Sequence, residues 1–481
     1  MGSRLDTMQV ESGAGGRGLG TARSRAAVYL LLYLLCVLTF HGMTDNYLFN
    51  DDFAWLDSAR NRMEGGSVLM TRVVGFFRPL VNVTFYLMER FSPGNIPLHY
   101  SLNLVLHFLC SVIVFHLFTR LFGDRRPAAA GAALFAVTSV HTGAVLWISA
   151  RTTLLSSSLL LGSLLLLTGG GGARRNTAAG ILFALALAAK ETAVAGLFLA
   201  LLLYLLPLRA RPSRAGVAVF GALTLVYLPT RAIAVGCFIQ KNWGPGLHMI
   251  RNMGGGFLYQ LHPWPLFSLL WPRANHIAES AHPLLPEIAA LPLAVLLVWI
   301  GARSKERALY LLGTGWALLA LLPSSLFRYR FFSTASITQN RYYYLSSVGT
   351  ILVIVLLLRI LYRSRMRFGR AAAALLLLLL VAGYMVRVDR IEKRWDEFTT
   401  MYREIVRTLV AGADEFPETH MVLVEDPPMA FPYLSHALRL ERPGLLLIEA
   451  GGRERATAFS PCLYVTYSGD WPRKMRMEKL E

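Results

Sequence analysis

Phe49-Asn50-Asp51-Asp52-Phe53 follows the first apolar run of the chain, residues 26–41. Two adjacent carboxylates therefore lie within a few residues of a membrane surface, and most of the downstream chain is soluble in hydrocarbon. Of the 481 residues, 54% are hydrophobic and 16% charged, with mean hydropathy +0.46. A soluble chain carries about 25% charged residues. Apolar runs of roughly 17–25 residues recur, each long enough to cross a bilayer core. The composition predicts an all-α polytopic membrane protein. A net charge of +19 on a soluble chain would suggest nucleic acid. Here the arginines cluster between apolar runs, where they act as topology signals and head-group anchors.

Those clusters set the expected topology. Residues 1–25, rich in Gly, Ser and Arg, are expected to be a disordered cytoplasmic terminus, and Arg17, Arg23 and Arg25 make run 26–41 an uncleaved signal anchor. Residues 42–96 form a first external loop, with an amphipathic segment at 53–63 and an interfacial helix at 80–91. Arg125-Arg126, Arg174-Arg175, the Arg209/Arg211/Arg214 group, the Arg303/Lys305/Arg307 group and Arg359–Arg370 each follow an apolar run. Placing all of them in the cytoplasm gives about eleven spans, provided that 248–272 is re-entrant or interfacial. The last span is 371–387, so the membrane part covers 26–387.

Residues 388–481 then read as a small external α/β domain. It begins with an amphipathic helix at 388–410 and contains strands at 421–425, 445–448 and 462–466 and a helix near 431–440. Cys36 and Cys110 fall inside apolar runs and read as packing residues. Cys237 and Cys462 share one side, where a disulfide or, in better keeping with base rates, two free thiols are expected; no Cys/His spacing suggests zinc.

Polar groups near membrane depth are expensive and each needs a reason. Adjacent carboxylates repel, which raises the pKa of one. Asp51-Asp52 therefore suits a general base or half of a metal site, and equally a helix cap before Phe53. By charge parity the pair shares its side with Arg78, with His141-Thr142 and Trp147–Arg151, with Lys190-Glu191, and with Arg341-Tyr342. Arginines and a lysine converging there suit a phosphate or diphosphate. The bland readings are a salt-bridged span end for Lys190-Glu191 and head-group snorkelling for Arg341. His116 reads as a structural hydrogen bond, whereas His107 shares a helix face with Asn103.

The ordered pieces Asn50-Asp51-Asp52, Phe77-Arg78-Pro79-Leu80, Asn103-Leu-Val-Leu-His107, His141-Thr142 with Arg151, Ala189-Lys190-Glu191 and Arg341-Tyr342-Tyr343-Tyr344 resemble the GT-C superfamily of integral-membrane glycosyltransferases. Within it the chain is most similar to the protein O-mannosyltransferase-like branch, to enzymes that carry TPR repeats. The resemblance implies an inverting transfer of a hexosyl group from a polyprenyl-phosphate sugar, with one aspartate of the pair as base. Between the two, Asp52 is slightly favoured as the nearer to Phe53. Arg78, Lys190 and Arg341 become donor-phosphate candidates, with His107, His141, Arg151, Glu191 and Tyr342 beside them. No cofactor is required, although Asp51 and Asp52 leave room for a divalent metal.

Two departures matter. The family's His-Pro-Val-His-Thr-Glu stretch reads Thr138-Ser139-Val140-His141-Thr142-Gly143, without its glutamate, and the repeats are absent. Bacterial single-chain enzymes such as the aminoarabinose transferase of lipid A share the architecture with other acceptors, so protein, lipid and glycan acceptors all stay open. The arginine-rich composition leans to a bacterial plasma membrane, with the site on the periplasmic side. A transporter or flippase of lipid-linked sugars is the alternative; it calls for acidic residues within the spans, and almost none are present. A non-catalytic scaffold predicts an aspartate pair with no cavity and no cations around it.

Overall fold

The computed structural model describes residues 9–63, 67–69, 72–73, 75–170, 172–236, 244–261, 303–327, 338–415, 421–425, 431–442, 445–449, 462–468 and 474–480, with isolated helical positions at 266, 269, 295 and 299–301. The helices are α1 (Gln9–Thr39), α2 (Asp51–Met63), α3 (Pro79–Phe91), α4 (Ile96–Phe122), α5 (Arg125–Val137), α6 (Thr142–Val145), α7 (Arg151–Leu167), α8 (Ala173–Ala189), α9 (Ala195–Leu205), α10 (Arg214–Val235), α11 (Leu247–Leu261), α12 (Arg307–Ser325), α13 (Ser347–Arg363), α14 (Gly369–Glu415) and α15 (Phe431–Glu441). Helix α1 starts at Gln9, so helical residues reach back into the segment 1–25. Extending a helix already formed by the apolar run costs less than nucleating one.

Five helical stretches among the described residues are long and apolar enough to cross a membrane, and six if the bent pair Arg125–Val137 and Ser139–Val145 is one span. The expected run 286–302 and the second half of 248–272 lie largely outside the described residues, as do Cys237 and the side chain of Cys462. The first half of 248–272 is helix α11, whose buried Asn252 donates to the Phe327 carbonyl at 3.1 Å.

Local chemistry places the helix ends. The Asn95 side chain caps α4 by accepting from Leu98 N at 3.1 Å, and Gly123, at φ 66°, ends it in the left-handed conformation that glycine adopts without strain. Asp124 then caps α5, accepting from Arg126 N at 3.0 Å. Gly349 lets α13 lie against α12, because a Cβ there would fall on the Gly313 carbonyl and the Ala317 amide.

The α2–α3–α4 corner is tied by Glu89, fully buried, which accepts from Arg60 Nε at 2.8 Å and meets His99 Nε2 at 3.2 Å. His116 Nε2 meets the Tyr29 hydroxyl at 2.7 Å.

Helix α14 departs from the sequence reading. The apolar pattern predicts a span at 371–387 and a separate amphipathic helix at 388–410, but one unbroken helix of 47 residues runs Gly369–Glu415, about 70 Å at 1.5 Å per residue. No proline or glycine pair interrupts residues 384–400, and buried Trp395, Tyr402, Ile405 and Leu409 give the polar half its own packed stripe.

Beyond α14, strands β3 (Met421–Glu425), β4 (Leu446–Glu449), β5 (Cys462–Ser468) and β6 (Lys474–Leu480) form a sheet in the order β4-β3-β5-β6. β3 is parallel to β4 and to β5, and β6 is antiparallel to β5. Two short earlier strands, β1 (Arg72–Val73) and β2 (Phe76–Phe77), pair in the α2–α3 connection. β6 carries Lys474, Arg476, Glu478 and Lys479 among its residues, and that charge hid it from a reading based on apolar runs.

Candidate active site

The start of α2 separates the two aspartates. Asn50 sits at φ 47°, a left-handed conformation that Asn tolerates better than most residues. Its side-chain oxygen accepts from the Tyr402 hydroxyl of α14 at 2.7 Å. The chain then enters the helix with Asp52 turned inward and Asp51 turned out.

Asp52 is fully buried. Its Oδ2 accepts from Phe49 N at 3.0 Å, and its Oδ1 accepts from Ser149 N at 2.7 Å and from the Ser149 hydroxyl. The carboxyl thus clamps the helix start to the Ile148–Ala150 turn. Burial raises its pKa to about 7, against the lowering effect of the Ser149 and Phe49 donors.

Asp51, half-buried, opens onto a cavity with about 530 Å³ of empty space, part of it open to solvent. Arg78, Lys190, Glu191, Arg341 and Tyr342 line the same cavity, with Trp147 as an aromatic wall. Four segments distant in sequence therefore deliver three cations and two carboxylates to one space.

The cations are not equivalent. Arg78 donates from Nε to Glu191 Oε2 at 3.1 Å and from Nη2 to Oε1 at 2.7 Å, with its guanidinium 4.1 Å from the Phe76 ring centre. Lys190 Nζ donates to Thr153 Oγ1 at 2.6 Å and lies 5.7 Å from the Tyr342 ring centre. Arg341 stands between two rings, 4.5 Å from Trp147 and 4.7 Å from Tyr342, and donates to the Thr338 carbonyl at 2.8 Å and to the Tyr342 hydroxyl at 3.2 Å. Among the described residues, neither Lys190 nor Arg341 forms an ion pair with a carboxylate. Both also line a second, smaller cavity of about 360 Å³ whose other walls include Leu160, Ala320 and Leu345. These two cations thus stand between two chambers, the second of which is also lined by the hydroxyl residues Thr153, Ser156, Ser157, Thr192 and Ser324.

Three expected site residues are elsewhere. His107 is fully buried, with Nδ1 at 2.8 Å from the Tyr344 hydroxyl and Nε2 at 3.0 Å from the Ala136 carbonyl. Asn103 does not pair with it; its amide donates to the Trp147 carbonyl at 2.9 Å. His141 is buried against Phe135 and Tyr344, and its Nε2 meets Ser347 Oγ at 2.8 Å, which ties the bend after α5 to α13. Arg151 is fully buried at the start of α7, with Nη2 donating to the His99 carbonyl at 3.1 Å and lying 2.9 Å from His99 Nδ1. Its guanidinium covers the Phe85 ring at 4.3 Å. All three cross-link helices behind the cavity wall. Charge parity speaks only to the side of the membrane and not to depth, which is set by packing.

Sequence reasoning also passed over three contributors. Trp147 donates from Nε1 to the Phe49 carbonyl at 3.1 Å while its ring carries Arg341. Ser149 fixes Asp52. Tyr433 of α15 lies close to Asp51; burial and then the Asp51 charge raise the pKa of its phenol. Trp147 and Ser149 belong to the Trp147–Arg151 stretch that parity places beside the aspartates, but Tyr433 carries no local signal.

Asp52 has both oxygens committed to Phe49 and Ser149, and Glu191 is held by Arg78. Among the described residues, no three His, Cys, Asp or Glu side chains are grouped as metal ligands.

No protein-family profile matches the sequence, and no curated protein matches it. Solved structures do. An Archaeoglobus fulgidus oligosaccharyltransferase in the apo form aligns at 13% identity and TM-score 0.51, covering 89% of this chain and 64% of that one. The same enzyme tethered to an acceptor peptide containing the NVT sequon gives the same values. Archaeal oligosaccharyltransferase AglB from that organism, in complex with an inhibitory peptide and a dolichol-phosphate, aligns at 14% identity and TM-score 0.49, covering 93% and 70%. The chain therefore spans about two thirds of the length of these neighbours. The likeness to that oligosaccharyltransferase is one of fold.

Proposed function

We propose that the chain is a membrane glycosyltransferase that moves a sugar from a polyprenyl-phosphate donor to an acceptor hydroxyl, with inversion. The observation that carries this reading is Asp51 opening onto a cavity that also holds Arg78, Lys190 and Arg341. In the proposed reaction the acceptor oxygen attacks the anomeric carbon from the face opposite the phosphate. A new C–O bond forms as the bond from the anomeric carbon to the phosphate oxygen breaks. The proton of the hydroxyl passes to the Asp51 carboxylate, and the departing phosphate keeps the electron pair. Lys190 and Arg341 hold that charge, and a preorganised cation in a water-poor cavity stabilises it without reorganisation.

Asp51 replaces Asp52 as the preferred base because a base must reach the proton it takes, and the Asp52 oxygens are enclosed. Hexosyl specificity, an O-mannosyltransferase-like branch and an external site in a bacterial plasma membrane are parts of this proposal carried by the sequence resemblance. One structural neighbour holds an acceptor peptide, which makes protein the first acceptor class to assay. The test is transfer of labelled sugar from a polyprenyl-phosphate donor in membranes containing the full chain. Activity abolished by Asp51→Asn supports the assignment; full transfer by that variant overturns it.

A further inference from the structure

A second built site lies at the opposite end of the bundle. The Asp51 loop sits beside the N-terminal end of α4, where the Tyr100 hydroxyl donates to the Tyr47 carbonyl at 2.8 Å. Helix α4 has 27 residues, so its far end is about 40 Å away. There α4 ends, α5 and α14 begin, and α13 finishes. These ends enclose a groove with about 850 Å³ of open space, lined on its apolar side by Ala130, Val355, Leu358 and Leu377.

The mouth of the groove is basic. Arg126, Arg359 and Arg363 line it together with Tyr362. Two acids face them: Asp124, and Glu306 at 3.1 Å from Arg359 and 3.3 Å from Arg363. Glu306 fixes Arg359, whose guanidinium also lies 5.3 Å from the Phe122 ring centre. Arg126 is exposed and Arg363 keeps 58% of its side chain exposed, so both present donors outward. Exposed Arg365, Arg367 and Arg370 follow on the α13–α14 connection. Three arginines and one carboxylate thus line the slot, and Glu306 pairs with two of those arginines.

We infer that this groove binds one anionic phospholipid, its phosphate held by Arg126 and Arg363 and an acyl chain lying between α5, α13 and α14. Charge complementarity and shape point to the same occupant. Guanidinium forks match phosphate oxygens, and the Ala, Val and Leu walls beside them offer hydrocarbon contact to an acyl chain. The occupant is a lipid of the surrounding leaflet and not the sugar donor, whose proposed site is at the other end. The inference does not depend on the transferase reading.

The experiment uses the full chain purified in detergent and then exposed to phosphatidylglycerol or phosphatidylcholine, with bound lipids counted by native mass spectrometry. One tightly held phosphatidylglycerol, retained over phosphatidylcholine by roughly tenfold, is expected from the charge around the site. The double variant Arg126→Gln/Arg363→Gln and the slot-filling Ala374→Trp each remove that lipid, while a double variant in other basic clusters, Arg174→Gln/Arg211→Gln, retains it. Size-exclusion profiles show that each variant is folded, and the exposed positions of Arg126 and Ala374 favour that. Equal retention of both lipids overturns the proposal. So does loss of phosphatidylglycerol in the Arg174→Gln/Arg211→Gln control, which would mean general surface attraction, or its survival in both groove variants.

Discussion

Arg78 grips Glu191 through two parallel bonds, 3.1 and 2.7 Å long, on the wall of the cavity that Asp51 faces. The planar fork suits a carboxylate in a way that an ammonium does not. Both side chains keep about a tenth of their surface, so the pair is nearly dry and losing one member strands the other. Arg78→Lys is expected to lower transfer by roughly tenfold while the protein stays folded, because one of two bonds remains. Glu191→Ala should do more harm than the double variant Arg78→Ala/Glu191→Ala, read by thermal unfolding in detergent. A loss in the double variant equal to the sum of the two single losses would mean that the two residues are not coupled.

Asp51 and Asp52 should separate cleanly. Loss of a general base costs roughly 10²- to 10⁴-fold in rate. Asp51→Asn is expected to lose transfer on that scale with a smaller change in thermal midpoint than Asp52→Asn, because Asp51 is half-buried at the cavity whereas Asp52 is enclosed. Asp52→Asn should shift the midpoint, because an amide cannot accept from both Phe49 and Ser149. Paired activity and melting measurements on the two variants decide the matter.

The raised pKa of Asp52 gives a pH signature. Its carboxyl ionises near the ordinary value of 3.8 when unfolded and near 7 when folded. Between those limits the folded state holds the extra proton, so stability contributed by this group falls as pH rises from about 4 to about 7 and is level above that. The measurement is the difference in thermal midpoint between the wild type and Asp52→Asn across that window. A difference independent of pH would contradict the shift.

Lys190 and Arg341 are the cations left for a phosphate. Hydrogen bonds to charged groups contribute about 1.5–3 kcal/mol each, which is roughly ten- to a hundredfold in affinity. Lys190→Gln and Arg341→Gln should each weaken inhibition by free polyprenyl phosphate by about that factor. Arg341→Lys should restore little, since it loses the stacking on Trp147 and Tyr342.

Helix α15 is held on α2 by Asp57, which lies 2.6 Å from His436 Nδ1 and accepts from Arg439 Nε at 3.1 Å. Burial pushes the Asp57 carboxyl up, but the His436 bond and the Arg439 charge prevail and hold it below the usual carboxylate range. Its contribution is therefore present above about pH 4 and lost as pH falls further. Hydrogen exchange over 431–441 should rise below that pH, and in Asp57→Asn at neutral pH. Because α15 carries Tyr433 to Asp51, the same variant should also reduce transfer. Exchange unchanged in Asp57→Asn would show that the latch is not what docks α15.

The sequence by itself determined the class of this protein. Long apolar runs with arginine clusters between them demand membrane helices, since backbone polar groups in hydrocarbon must be satisfied within the segment. It also led to the expectation that Asp51, Arg78, Lys190 and Arg341 share one side, because charge parity is a one-dimensional property of the chain, and the four do line one cavity. Depth and direction are not. Asp51 and Asp52 are neighbours with identical side chains, and only Asn50 in its left-handed turn, Ser149 on a distant turn and Tyr402 on α14 decide which is enclosed and which faces the cavity. His107, His141 and Arg151 read like the other site residues until packing placed them behind the wall. Tyr433 reaches Asp51 from more than 380 positions away by a docking that no local pattern encodes. A helix start can be read from its neighbours, but the choice between two adjacent carboxylates depends on which distant donors pack against them.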